Sequence, residues 1–281
     1  MTLFTNNGWS CREETGIMGI INVTPDSFSD GGKYANVEAA VMRAKQMVAD
    51  GADIIDIGGE SSRPGAEPIS ANEECRRVVP IVQALAEQFQ IPISVDTYKA
   101  EVAYEALSAG ACVINDITAL HGDPNMCQIV ADAQAGVILM HMQGVPAIMQ
   151  KAPTYQNVVL EVHAWLTEVA SQAVDRGIDS SRIMIDPGIG FGKTFDHNLE
   201  ILRNLIQFRG IGYPLLVGVS RKKFIGQILD LPVHQREEGT AATVAWSIIN
   251  GANVVRVHDV AKMKQVAQVI DAIYRTKPDS E

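Results

Sequence analysis

Short apolar runs recur along the chain at residues 17–22, 54–58, 93–96, 113–116, 137–140, 183–186, 215–218 and 254–257. They are rich in Ile and Val and mostly apolar on both alternations, as parallel strands covered on both faces require. Between them the spacing turns helical, over 37–50, 72–88, 99–109, 158–176, 197–209, 239–250 and 261–276. Gly51, Gly110 and Gly177 punctuate three of these ends. Ser70 with Glu73 three positions on has the spacing of a capping box, and Asp123-Pro124 reads as an N-cap followed by proline at the first helical position. Eight strand-like runs, each followed by a helix, predict an α/β fold of the (β/α)8 TIM-barrel type. The alternative, a doubly wound open sheet, lacks its G-x-G-x-x-G in the first turn. The expectation is one domain over 1–281, with a barrel core at about 16–275.

The longest connections, 23–36, 59–71 and 143–157, all follow the C-terminal ends of strands. Loops of that length are usually functional, and active sites of barrels sit at that rim. The polar residues fall there too. Asn22, Asp96, Asn115, Asp116 and Asp186 end strands one, three, four and six. Strand seven runs into Ser220-Arg221-Lys222, and strand eight into Arg256, His258 and Asp259. With a side-chain period of two, Arg256 and His258 share a face, as do Ser220 and Lys222.

Each aspartate has a plain alternative as a helix cap or turn residue, and that reading is preferred for Asp116, Asp123, Asp196 and Asp259. Asp96, Asn115 and Asp186 with Lys222, converging on one mouth, would be costly as structure alone. The stretch from Gly188 to Thr194 resembles a phosphate loop, but the Walker pattern needs four residues between its glycines and here there are three. Lys193 also stands where the last glycine of G-x-G-x-x-G belongs. A tight strand-to-helix turn is preferred, with Phe191 free to touch a ligand. Met140 reads as core or pocket lining, and His141 stays undecided.

Composition narrows the partners. The 281 residues carry 33 acids against 23 bases, a net charge of −10. That disfavours nucleic acid and anionic membrane surfaces, so any anionic substrate needs a local basic cluster. Arg63, Lys222, Arg256 and His258 supply one, and several donors suit a diphosphate better than a single phosphate. The carboxylates and amide suit a flat heterocycle with an amino-oxo edge. Cys11, Cys75, Cys112 and Cys127 form no CxxC pair, which argues against structural zinc and for reduced thiols in a cytoplasmic setting. Neither a secretory leader nor an apolar run of membrane-spanning length is expected. With no Ser-His-Asp set in view, catalysis by positioning and leaving-group stabilisation is expected.

These positions coincide with ordered motifs. They are Met18-Gly-Ile-Ile-Asn22-Val-Thr24-Pro25-Asp-Ser-Phe28-Ser-Asp30-Gly-Gly32, Asp56-Ile-Gly-Gly-Glu60-Ser-Ser62-Arg63-Pro64-Gly65, Ser94-Val-Asp96-Thr97 and Ile114-Asn115-Asp116. The series continues with Asp186-Pro-Gly-Ile-Gly-Phe191-Gly192-Lys193, Ser220-Arg-Lys222 and Val255-Arg256-Val-His258-Asp259-Val260. In this order they resemble the dihydropteroate synthases of the pterin-binding barrel family, over roughly residues 16–260.

The resemblance implies a transferase of folate biosynthesis and a target class of sulfonamides. It implies that Asp96, Asn115, Asp186 and Lys222 hold the pterin, with Met140, Phe191 and Gly218 lining its pocket. Asn22, Arg63, Arg256 and His258 would handle the diphosphate, with Mg²⁺ near Asn22. Thr24 and Pro25 lie in a closing loop, and Phe28, Ser62, Pro64 and Ser220 would receive p-aminobenzoate. Asp96, Lys222, Arg256 and His258 would carry the chemistry, in a homodimer. Ser62 departs from the family's usual threonine, keeping the hydroxyl and losing a methyl. The rival readings are a pterin-dependent methyltransferase and a non-catalytic pterin-binding protein, neither of which needs Arg63, Arg256 and His258 aimed at a diphosphate.

Overall fold

The computed structural model describes residues 3–5, 7–10, 14–23, 33–61, 65–146 and 148–275, with backbone alone for 33–36. Among them, eight parallel strands run β3 (Gly16–Asn22), β4 (Ile54–Gly58), β5 (Ile93–Asp96), β6 (Val113–Asp116), β7 (Gly136–Met140), β8 (Ile183–Asp186), β9 (Leu216–Val217) and β10 (Val254–Val257). They pair in the order β8-β7-β6-β5-β4-β3-β10-β9. A bridge between Ile185 and Leu215 joins the two ends of that order, so the sheet closes. The expected barrel is present. The seventh strand is shorter than its apolar run, and two residues carry it.

Around the barrel lie α1 (Lys33–Ala49), α2 (Ala71–Gln88), α3 (Ala100–Ser108), α4 (Met126–Asp132), α5 (Val158–Asp175), α6 (Phe195–Arg203), α7 (Lys223–Leu229), α8 (Glu237–Ile249) and α9 (Val260–Tyr274). Ser70 caps α2 by accepting from the Glu73 N–H, but the Glu73 carboxylate turns to Arg77 at 2.9 Å and does not reach back to form the box. Asp123 departs from the sequence reading. It does not cap its own helix, which starts at Met126. Its Oδ2 instead accepts from the Ala100 N–H at 3.1 Å, capping α3, whose N-cap Lys99 has no capping side chain. The predicted helix over 197–209 divides into α6 and a 3₁₀ stretch, Leu205–Ile211. Leu205 and Phe208, three apart and both fully buried, fit the tighter winding.

Two elements carried no signal in the apolar pattern. One is α7, seven residues long with Gly226 inside, where an added Cβ would lie 2.3 Å from the Arg236 guanidinium. The other is a hairpin of β1 (Phe4–Thr5) and β2 (Gly8–Trp9). Phe4 and Trp9, edge to face at 4.8 Å, cover the N-terminal end of the barrel and join an inner cluster of Met18, Ile54, Val113, Ile138, Met184, Leu216 and Val254. Each such side chain contributes about 1.5–3 kcal/mol on burial. A second, larger cluster fills the space between strands and helices.

Candidate active site

The inward positions change character one period further along the strands. Above Ile54 stands Asp56, above Val113 stands Asn115, above Met184 stands Asp186, and above Val254 stands Arg256. Register places Asp56 beside Ser94 and Asp96 beside Asn115, so neighbouring strands present these groups at similar heights.

Arg256 is the hub. Its Nε donates to Asp56 Oδ2 at 2.6 Å and its Nη2 to Asp96 Oδ2 at 2.8 Å. Asn115 Nδ2 donates to the same Asp56 oxygen at 3.2 Å. Asp56 Oδ1 is buried and has no partner among the described residues. Burial raises the Asp96 carboxyl well above the ordinary range, with Arg256 opposing the rise and Asp56 adding to it. Burial likewise raises Asp186, against the pull of the Gly188 N–H and Lys222. The Lys222 ammonium falls to about 8, chiefly through burial. So many displaced ionisable groups in one cleft mark a functional site, because a structural role alone would not offset their desolvation.

Lys222 is the N-cap of α7 and directly follows Arg221, which adopts φ 57°. That left-handed conformation is uncommon for a residue other than glycine and persists where the surroundings enforce it. Here the Arg221 guanidinium donates twice to Asp259, and its N–H donates to Thr240. The pair explains Asp259, which supplies no side-chain cap to α9. On either side of the strained residue, Ser220 and Lys222 turn toward the mouth. Ser220 Oγ accepts from the His258 backbone N–H and lies within hydrogen-bond distance of His258 Nδ1, at 2.9 Å. Burial, then Arg256 and Arg221, lower His258 to about 4. The ring is therefore neutral at neutral pH.

The glycine turn after β8 is a close-approach device, as expected. Gly188, Gly190 and Gly192 all have positive φ, and a Cβ at Gly188 would stand 2.0 Å from the His141 carbonyl. The turn holds the Phe191 ring 4.2 Å from the Lys222 ammonium. Lys193 is buried beneath it and donates to His141 Nδ1, His141 O and Phe191 O. Burial lowers Lys193 to about 7 and drives His141 down further. His141 is thus a buried acceptor, and no described group of His, Cys, Asp and Glu is placed to hold a metal ion.

The structure brings Asp96, Asn115, Asp186, Lys222, Arg256, His258, Ser220, Phe191 and Met140 to one end of the barrel. Gly218 follows β9, with an ideal Cβ 3.9 Å from that of Arg256. Asn22 ends β3, its Oδ1 facing Gly58. Thr24, Pro25, Phe28, Ser62, Arg63 and Pro64 lie outside the described residues. Asp116 is structural, as preferred: it accepts from the Thr118 N–H and hydroxyl and the Leu120 N–H. Asp56 was read as motif and not as site, and Lys193 only as a misfit to glycine patterns. The signal for Asp56 was its inward parity with Ile54.

A family model described as pterin binding enzyme matches residues 18–258. The dihydropteroate synthase of Bacillus subtilis strain 168 is 47% identical over 264 residues, covering 94% of this chain and 90% of that one. The Escherichia coli K12 dihydropteroate synthase is 44% identical over 261 residues, covering 93% and 92%. Among solved structures, Yersinia pestis dihydropteroate synthase in a sulfonamide drug complex matches with a TM-score of 0.89 at 42% identity, covering 94% and 95%. The Xanthomonas albilineans enzyme in complex with 7,8-dihydropteroate matches with a TM-score of 0.84 at 41% identity, covering 94% and 95%.

Proposed function

The chain belongs to the dihydropteroate synthase family of pterin-binding enzymes, and on that premise we propose that it joins 6-hydroxymethyl-7,8-dihydropterin diphosphate to p-aminobenzoate, giving 7,8-dihydropteroate and diphosphate. The observation that carries the reading is the polar set Asp96, Asn115, Asp186, Lys222 and Arg256 seated on an apolar barrel floor. A carboxylate accepts the N–H groups of an amino-oxo ring edge, and each hydrogen bond to a charged group contributes about 1.5–3 kcal/mol. Lys222, beside Asp186 and under Phe191, supplies a donor at the same edge.

The C–O bond to the pterin methylene breaks and its electron pair leaves with the diphosphate. The aromatic amine then forms the C–N bond and releases a proton. His258, held by Ser220 and beside Arg256, stands where the leaving group would be received. Thr24, Pro25, Phe28, Ser62, Arg63 and Pro64 would complete the diphosphate and p-aminobenzoate sites and exclude water from the cationic methylene.

For Mg²⁺, the donor set fits an ion held mainly by substrate. Asn22 offers one hard amide oxygen at the rim, and a magnesium site of this kind takes the rest of its ligands from phosphate and water. When bound, the ion would neutralise charge on the departing diphosphate. No described helix is long and apolar enough to cross a membrane, and with its acidic surface and free Cys75, Cys112 and Cys127 the chain fits a cytoplasmic enzyme acting on small molecules. A homodimer is favoured by apolar side chains exposed on adjoining helices: Ile228 on α7, Trp246 on α8, and Val269 and Ile273 on α9. As a member of a sulfonamide target class, the chain would meet such drugs at the p-aminobenzoate site.

The test is diphosphate release from the pterin diphosphate with Mg²⁺, with and without p-aminobenzoate. Release that tracks formation of dihydropteroate is expected. Tight pterin binding without turnover would overturn the synthase reading in favour of a pterin binder or a methyltransferase.

A further inference from the structure

Asp56 and Asp116 are both fully buried aspartates near strand ends, and their bonding differs. Asp116 uses both oxygens, on two backbone N–H groups and a hydroxyl. Asp56 gathers its two donors, Arg256 Nε and Asn115 Nδ2, on one oxygen and leaves the other without a partner among the described residues. A buried acceptor left unsatisfied is destabilising, so stability does not account for the residue. Charge balance does not account for it either, since Asp96 already pairs with Arg256 at 2.8 Å.

What Asp56 does control is its neighbour. A carboxylate accepts and cannot donate, so the side chain of Asn115 must turn its amino group to Asp56. The two ends of an amide diverge, so Asn115 Oδ1 faces away from Asp56, and it takes no described protein donor. Asp96 and Asp186 beside it are acceptors as well.

We propose that Asp56 is a specificity-determining positioning residue. By fixing the amide of Asn115, it makes the pocket edge present acceptors, so that the pocket selects a ring edge carrying N–H donors and rejects one with an oxo group at the same place. The inference rests on the pterin-binding reading above.

Two variants separate this role from packing. Asp56→Asn keeps the volume, and with its oxygen in the place of Oδ2 it still accepts from both Arg256 and Asn115, so it holds the amide as the wild type does. Asp56→Ala removes that acceptor and leaves the amide of Asn115 free to turn either end to the ligand. The probes are 7,8-dihydropterin and the analogue with oxo in place of the 2-amino group, titrated calorimetrically against the full chain. The wild type is expected to prefer the amino ring. In Asp56→Ala that preference ratio is expected to fall at least tenfold, and in Asp56→Asn to be kept. Asp56→Leu, nearer in volume and equally without an acceptor, serves the same comparison if Asp56→Ala does not fold. Equal weakening of both ligands, with the ratio unchanged, would overturn the inference and leave Asp56 a packing residue. A wild type that makes no dihydropteroate would sink the functional reading instead, whatever the ratio.

Discussion

Lys222 carries a positive charge on a proton that burial has loosened, to about 8. If its ammonium donates to the pterin, the free enzyme binds that substrate in the protonated form, and kcat/KM should fall as pH rises through about 8. Lys222→Arg keeps a cation at all working pH values. Its profile should lose the alkaline limb, even at lower overall rate, and pH profiles of the two proteins decide the matter. Arg256 answers to a different balance. Arg256→Ala leaves Asp56 and Asp96 buried beside each other without their shared cation. Removing one member of such a pair costs about 3–5 kcal/mol. Without Arg256 to oppose it, burial raises the Asp96 carboxyl further, so denaturant melts should show the loss at pH 8 and a smaller one at pH 5. A loss independent of pH would mean that Arg256 acts by packing alone.

At the scale of elements, the turn from Gly188 to Lys193 is the part that most depends on its neighbours. Its carbonyls are held from both sides, Gly192 O from outside by the Tyr155 hydroxyl at 2.8 Å and Phe191 O from within by Lys193 at 3.0 Å. Lys193 ionises at about 7 in the fold and near 10.5 when free, so the unfolded chain binds more protons between those values. Stability therefore rises with pH across that window, and the charged form is least tolerated below about 7. Lys193→Met should flatten the rise in a Tm series from pH 7 to 9. It should also weaken pterin binding, because Phe191 no longer sits over Lys222.

The elements legible in the sequence were those whose signal is local. All eight barrel strands came within a residue, at each end, of the run that predicted them, because continuous Ile and Val between helices has few other solutions. The α7 helix and the β1–β2 hairpin were not legible in the same way, since their stability comes from partners outside their own short segments: Gly226 under Arg236, and Phe4 and Trp9 against the barrel end. In the site, Asp96, Asn115, Asp186 and Lys222 could be read from parity and position. The bond from Asn115 to Asp56 spans 59 residues and that from Arg256 to Asp56 spans 200, and no spacing rule encodes either.

For the molecule as a whole, net charge and surface pattern pull against each other. Ten excess negative charges favour separation of copies, yet Val269 and Ile273 lie 59% and 75% exposed on α9 beside Trp246 on α8. A second copy of the chain covering this face is the reading proposed above. Val269→Glu places a charge at its centre and should yield a monomer by sedimentation at concentrations where the parent is a dimer. The fold should be intact, because the side chain is mostly solvated. A parent already monomeric would remove the dimer from the account.

The closure of the barrel has a consequence of its own. Seven of the eight strand junctions are ladders, but β8 meets the next strand through the single bridge from Ile185 to Leu215. The ring is therefore a hoop with one open joint. Asp186 stands on one side of that joint and Lys222 on the other, so a pterin gripped by both works as a clasp. Occupancy and the integrity of the hoop become the same event, and the substrate helps to finish the vessel that holds it.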